Sequence, residues 1–326
     1  MILPYLLRLV CLCFASFFLI HTVFGLATWC ATPVTIRLVG SMRPRLAAGL
    51  LFALRLLPVA LASVLVLGLC LPSYLWLEPK TAAERVGFAC CVSALLGAAV
   101  WGASIARVLR SAAVSHGYAR RCQQVGRETR VPGVPSPVLV LDDEAPLLAL
   151  AGVVCPRIVI SRGVLRALSP KQLEAALRHE QAHRTSRDNL RRLLLLLIPD
   201  VFPFFRIHAT LEGYWGRLTE WAADDRAIEG DSLRPLSLAT ALVRVARMGA
   251  TARLPELVAS LVARDHDLSA RVERLLRAVP AREERPGRVR ALLGGVALVT
   301  VISLAAAMLR PNTLYSVHRL LERLVR

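Results

Sequence analysis

Lysine is almost missing from these 326 residues: Lys80 and Lys171 are the only two, and arginine supplies the rest of the 41 basic side chains. With 23 acids the formal charge is +18, a surplus that would ordinarily raise the question of nucleic acid. The arginines, however, are scattered through the polar regions and gathered at the ends of apolar runs. No basic stretch is interleaved with aromatics, which are only 6% of the chain. That distribution argues against a nucleic-acid partner. Cysteine occurs eight times but never in C-x-x-C spacing, so neither a disulfide framework nor a cysteine zinc site is indicated. Cys11, Cys13, Cys70, Cys90 and Cys91 fall instead in apolar runs, where cysteine behaves as a small hydrophobe. No internal repeat or low-complexity segment stands out.

Charge, too, is missing over long stretches. Leu9–Trp29, Leu56–Leu77, Val86–Ala106 and Ala291–Leu309 contain no Asp, Glu, Lys or Arg, and each is about the ~20 residues a helix needs to cross a bilayer. The first run is longer than a signal-peptide core, and Trp29-Cys30 is a poor cleavage site, so it reads as a retained span. A hydrophobic content of 55% and a mean hydropathy of +0.52 exclude an ordinary soluble protein. The expected fold class is a mainly α membrane protein with four transmembrane helices. Residues 1–110 hold three of them (about 9–29, 56–77 and 86–106), 111–290 form a folded α+β domain, 291–309 are the fourth span and 310–326 a short basic tail.

Leu193–Phe205 is apolar but short, and Pro199, Asp200 and Pro203 interrupt it. It reads either as a membrane-surface or re-entrant segment or as a buried helix and loop. Arginines set the orientation, because positive loops stay in the cytoplasm. Arg37, Arg43, Arg45 and Arg55 mark the first loop; Arg107, Arg110, Arg120 and Arg121 follow the third span; Arg282, Arg285, Arg288 and Arg290 precede the fourth. The expectation is an integral protein of a bacterial inner membrane with its folded domain facing the cytoplasm. The tail arginines, Arg310, Arg319, Arg323 and Arg326, oppose the outside placement that four spans require.

Within the folded region, His179-Glu180-Gln181-Ala182-His183 spells H-E-x-x-H. Ser169-Pro170-Lys171-Gln172 ahead of it predicts a capped helix start, with Ser169 as N-cap and Gln172 closing a capping box. Residues four apart share a helix face, so the two imidazoles can take two corners of a tetrahedral zinc site. Glu180, one step round, can accept a proton from an activated water. The alternative is a charged helix that carries the pattern by chance.

Arg206–Glu229 reads as a second amphipathic helix carrying Glu220 and, one turn later, Asp224. Glu220 can supply a third ligand and Asp224 can orient a ligand histidine, or Glu220 is one more exposed acid. Ser111–Glu128 reads as helix continuing the third span; Val138–Leu141, Pro156–Ile160 and Leu147–Val154 read as strands. Arg234–Met248 and Ser269–Leu276 read as later helices. A small sheet beside the metal helix would let an extended substrate pair with its edge strand. His208 and His266 are weaker candidates, and the acids Asp265 and Asp267 around His266 favour a solvated loop.

His179–His183, the following Arg187-Asp188-Asn189-Leu190, the strand-like Cys155–Ile160 and the later Glu220-x-x-x-Asp224 together resemble the membrane zinc metallopeptidases of the M56 family, the group of the BlaR and MecR receptors. The wider gluzincins, such as the HtpX-like M48 proteases, share H-E-x-x-H and a later E-x-x-x-D. The likeness covers roughly Pro137–Leu276. It implies a zincin-like domain between spans three and four, Zn2+ held by His179, His183 and Glu220, Glu180 as general base and Asp224 behind a ligand. It also implies a protein or peptide substrate and, since the chain stops soon after the fourth span, a protease core without the penicillin-binding sensor. The expected function is regulated or signalling proteolysis of a cytoplasmic or membrane-associated protein, with sensing left to a separate regulator protein or to the spans. The alternatives are HtpX-like membrane-protein quality control and a non-catalytic zinc scaffold.

Overall fold

The computed structural model describes residues 4–79, 86–131, 137–201, 207–249, 254–261, 268–277, 306 and 310–325. Its first three long helices account for the first three charge-free runs. Helix α1 is Tyr5–Val39; α2 (Pro44–Leu65) runs through one π turn (Val66–Cys70) into α3 (Leu71–Leu77); α4 is Phe88–Val125. Each continuous stretch, of 35, 34 and 38 residues, is long and apolar enough to cross a membrane. Pro72, at the start of α3, lacks the N–H that regular helix needs, and the π turn sits where that bond is skipped. Outward-facing Val10, Val23, Leu67, Leu95 and Leu109 stay exposed, an apolar surface suited to an integral membrane protein. Gly97 lets α4 close on α1, since a Cβ there would stand 2.6 Å from the Phe14 carbonyl oxygen. The expected fourth span, 291–309, lies outside the described residues except for residue 306.

Helix α4 continues without a break from its membrane-length part into the folded domain, as its composition predicts, but ends at Val125 rather than Glu128. Gly126 leaves helical geometry, and Arg127–Thr129 become strand β1. Strands β2 (Val138–Leu141), β3 (Leu148–Ala151) and β4 (Arg157–Ser161) complete most of a sheet, and β5 (Ala259–Ser260) closes it, in the order β1-β2-β4-β3-β5. Only the β2–β4 pairing is parallel. Side chains alternate between two cores. Val138, Leu148, Leu150, Ile158 and Ile160 face one cluster; Leu139, Ala149, Ala151 and Val159 face the other, against Ala119 and Cys122 of α4. The middle of the sheet is thus covered on both sides, which is why β2 and β3 are unbroken apolar runs, whereas outer β1, Arg-Glu-Thr, is exposed. The outer strands of the sheet are β1 and β5.

The remaining helices are α5 (Arg162–Ala167), α6 (Pro170–Ser186), α7 (Asp188–Leu197), α8 (Ile207–Ile228), α9 (Arg234–Arg247), α10 (Leu268–Leu276) and α11 (Pro311–Val325). Leu211, Trp215 and Leu218 of α8 and Leu195 and Ile198 pack on Val39, Ala47 and Leu51 of the spans. As far as residue 201, the short apolar run after Asn189 is thus a helix and turn packed against the membrane-length helices; residues 202–205 lie outside the described set. The turn is tied to two spans: a His21 ring nitrogen lies 3.0 Å from the Pro199 carbonyl oxygen, and Ser104 Oγ donates to that of Ile198 at 3.3 Å. Helix α11 docks at the other end of α1, where Ser73 Oγ donates to the Leu314 carbonyl at 2.9 Å and Leu321 packs beside Leu12 and Tyr74.

Candidate metal centre

The expected capping box is present at the start of α6. Ser169 Oγ accepts from Gln172 N, and Gln172 Oε1 accepts from Ser169 N. Ala175, Ala176 and Leu177 bury against the sheet, which turns His179, Glu180 and His183 inward until all three are fully buried. Helix α8 leans on α6 and brings up Glu220. His179 Nε2 and His183 Nε2 stand 3.1 Å apart. Glu220 Oε2 lies 3.4 Å from the first and 3.6 Å from the second.

Ligand atoms at tetrahedral corners around zinc, each 2.0–2.1 Å from the ion, stand about 3.3 Å apart. The donor set of two imidazole nitrogens and one carboxylate oxygen therefore fits zinc in both spacing and chemistry. Both oxygens of Glu180 are buried with no hydrogen-bond partner in the protein, a costly state for a carboxylate that has nothing to act on.

Behind the imidazoles stand two further acids. Asp188 Oδ2 is 2.7 Å from His183 Nδ1, and Asp224 Oδ1 is 2.9 Å from His179 Nδ1. Asp188 reaches its place because Arg187 adopts the left-handed region (φ 53°), ending α6 and starting α7 with one residue between them. The neighbouring Asn189 donates from Nδ2 to the carbonyls of Leu150 and Gly152, at 2.9 and 2.7 Å. This clamps α7 to β3 and to the turn at Gly152, whose φ of +100° suits glycine.

Arg271 of α10 completes the cluster. Its Nε and Nη2 form a fork on Asp224 at 2.9 and 2.7 Å, its Nη1 lies 3.3 Å from Glu220 Oε2, and the same Nη1 donates to the Leu261 carbonyl at 2.9 Å. Arg192 Nη2 approaches Glu220 Oε1 at 3.8 Å.

Four carboxylates, Glu180, Asp188, Glu220 and Asp224, thus crowd around the two imidazoles; one buried guanidinium, Arg271, meets Asp224 and Glu220, and the less buried Arg191 and Arg192 approach Asp188 and Glu220. The titration of the site follows from that surplus of negative charge. Burial alone would lower the His183 imidazole, but Glu220 and Asp188 reverse this and push it up to about 10. Burial likewise would lower His179, but Asp224 and Glu220 outweigh it and raise the imidazole. Burial would raise Asp224, yet Arg271 and His179 hold it at about 2, and His183, His179 and Arg271 hold Glu220 well below the carboxylate range. Glu180 is pushed up to about 7 by burial, against the pull of His179 and His183. The carboxylates draw positive charge onto the imidazoles, charge that a divalent cation would supply instead.

All five expected site residues, His179, Glu180, His183, Glu220 and Asp224, are therefore brought together. His208 belongs to α8, where its side chain is outside the described set, and so is His266. The sequence reading gives Asp188, Asn189 and Arg271 no role in the site, although Asp188 and Asn189 are among the residues that carry the family resemblance. Two signals pointed to them: once Asp224 stood behind one histidine, the other still needed a carboxylate; and Arg271 occupies a core position of α10, one turn before the buried Leu275.

Residues 118–214 match the model of peptidase family M48. The matched stretch takes in the end of α4, strands β1 to β4, α6 with its two histidines, α7 and the start of α8, and stops short of Glu220. No curated protein matches the chain. The match supports the M48 gluzincin family for this region, and with three membrane-length helices beside it the chain is supported as a membrane metalloprotease.

Proposed function

We propose that this chain is a membrane-embedded, zinc-dependent endopeptidase whose metal is held by His179, His183 and Glu220. The observation that carries the reading is the triangle of three donor atoms 3.1–3.6 Å apart beside a buried, unpartnered Glu180 carboxylate. Zinc in such a site acts as a Lewis acid on a peptide carbonyl and acidifies water. The chain's own side chains do the rest. Asp188 and Asp224 hold the imidazoles in orientation, and Glu180 accepts a proton from the attacking water and returns it to the leaving amine. A purely structural site has no use for a base in that place, so the scaffold reading is disfavoured.

The M48 match favours HtpX-like clearance of membrane clients over a single regulatory cut of the M56 kind, and no observation supports a separate sensor protein. The test is direct. Purified protein should contain about one zinc per chain, and Glu180→Gln should keep that zinc while proteolysis falls ~10²–10⁴-fold. Undiminished cleavage by the variant would remove Glu180 from the mechanism.

The same proposal assigns residues 1–110 to three spans, 111–290 to the peptidase domain and 291–309 to a fourth span. What supports a fourth crossing is the placement of α10 and α11. Helix α10 is joined to the metal cluster through Arg271, whereas α11 packs where α1 begins. The 35 residues of α1 separate its ends by about 50 Å at 1.5 Å per residue. The arginine-rich junctions favour a cytoplasmic peptidase domain and hence cytoplasmic or juxtamembrane substrates. A fusion to green fluorescent protein at residue 133 should fluoresce. Alkaline phosphatase activity from a fusion at the same position would reverse the orientation.

A further inference from the structure

Helix α10 carries two arginines, three residues apart, that meet two consecutive acids of α8. Arg274 Nη2 lies 2.5 Å from Asp225 Oδ1, with both side chains partly exposed. Arg271 forks onto Asp224 in full burial, and it alone of the two also reaches Glu220. The difference is one of consequence. The first pair docks two helices; the second engages a ligand carboxylate and the acid behind a ligand histidine with one planar group.

We propose that Arg271 is a positioning residue of the metal centre, setting where Glu220 and Asp224 stand relative to the two imidazoles. The argument rests on the zinc reading given above. Glu220 is a flexible side chain on a different helix from the histidines, and its Oε2 must sit equally far from both Nε2 atoms. Arg271 Nη1 stands 3.3 Å from that oxygen and its Nη2 3.5 Å from His179 Nε2, so one planar group lies against ligand atoms of both helices, while the fork on Asp224 removes the guanidinium's own freedom to rotate. The Nη1 bond to the Leu261 carbonyl anchors the group a third time, at the residue following β5. A lysine in this position keeps the charge but has no fork. Charge and geometry are therefore separable.

The experiment uses the full chain in detergent with four proteins: wild type, Arg271→Lys, Arg271→Met and Arg274→Met. Zinc affinity is measured by competition with a chromophoric chelator, and Co2+ is substituted to read ligand geometry from its visible absorption. Arg271→Met should weaken zinc ~10–100-fold, the range for losing a group that orients ligands. Arg271→Lys should recover part of the affinity yet still shift the cobalt bands, and Arg274→Met should leave both readings at wild-type values. Should Arg271→Met fail to fold, Arg271→Lys decides alone. Unchanged affinity and bands in Arg271→Lys, or equal losses in Arg274→Met, would overturn the proposal, because Arg271 would then only dock α10. A wild-type protein that binds no zinc would overturn the zinc reading itself, and is seen before any variant is made.

Discussion

Two of the ionic networks among the described residues, one at the far end of the helical bundle and one in the peptidase domain, are built on different arithmetic. At the far end Arg8 meets Glu78 at 2.7 Å, its Nε donates to the Tyr74 hydroxyl at 2.7 Å, and His318 of α11 lies 3.7 Å from the other Glu78 oxygen. One guanidinium answers one carboxylate, and every element involved, α1, α3 and α11, gains a packing partner. In the peptidase domain four carboxylates cluster around two imidazoles, buried Arg271 meets only two of them, the less buried Arg191 and Arg192 approach Asp188 and Glu220, and Glu180 has no hydrogen-bond partner for either oxygen. Burial is the same in both places. The balance of charge differs, and it separates a joint that holds helices together from a cluster whose His179, His183 and Glu220 could hold a metal ion.

The largest effect should come from unbalancing the balanced network. Arg8→Met leaves Glu78 buried without its counter-charge and should cost ~3–5 kcal/mol, whereas the double variant Arg8→Met with Glu78→Gln should recover most of it. Thermal unfolding in detergent gives both numbers. Equal losses in the single and double variants would mean that the pair is not what secures this end of the bundle.

A smaller effect is expected where the unbalanced network loses one charge. Asp188→Asn keeps the shape of the His183 contact but withdraws a negative charge, and zinc affinity should fall ~10–100-fold. Without zinc the same variant should unfold no earlier than the wild type, because one fewer buried carboxylate then has to be accommodated. A lowered melting temperature of the zinc-free variant would place Asp188 with the structural joints and blur the contrast between the two networks.

How much of this was legible beforehand depends on the sequence distance each feature spans. The capped start of α6, the shared face of His179 and His183 and the one-turn spacing of Glu220 and Asp224 are all set within a few residues, where helix periodicity decides direction. The three membrane-length helices were equally plain, because a run without charge needs no partner to be recognised. The end of α4 was misplaced by a few residues, since Gly126 stops a helix whose flanking residues have no strong preference. The apolar turn after α7 had two readings from composition alone. The structure adds that it packs against Val39, Ala47 and Leu51 of the membrane-length helices.

By itself, then, the sequence determined that this protein has a helix with two histidines on one face, a partner helix with two acids and three apolar helices, because each of those is a local pattern of side chains along one element. Only the tertiary structure decided what stands behind the ligands. Asp188 reaches His183 through a left-handed turn at Arg187, Arg271 reaches Asp224 across 47 residues, and Arg8 meets Tyr74 across 66. No periodicity links residues so far apart. Their meeting is fixed by how helices and sheet pack, and by the rule that a charge taken out of water must find its partner wherever the fold has put one.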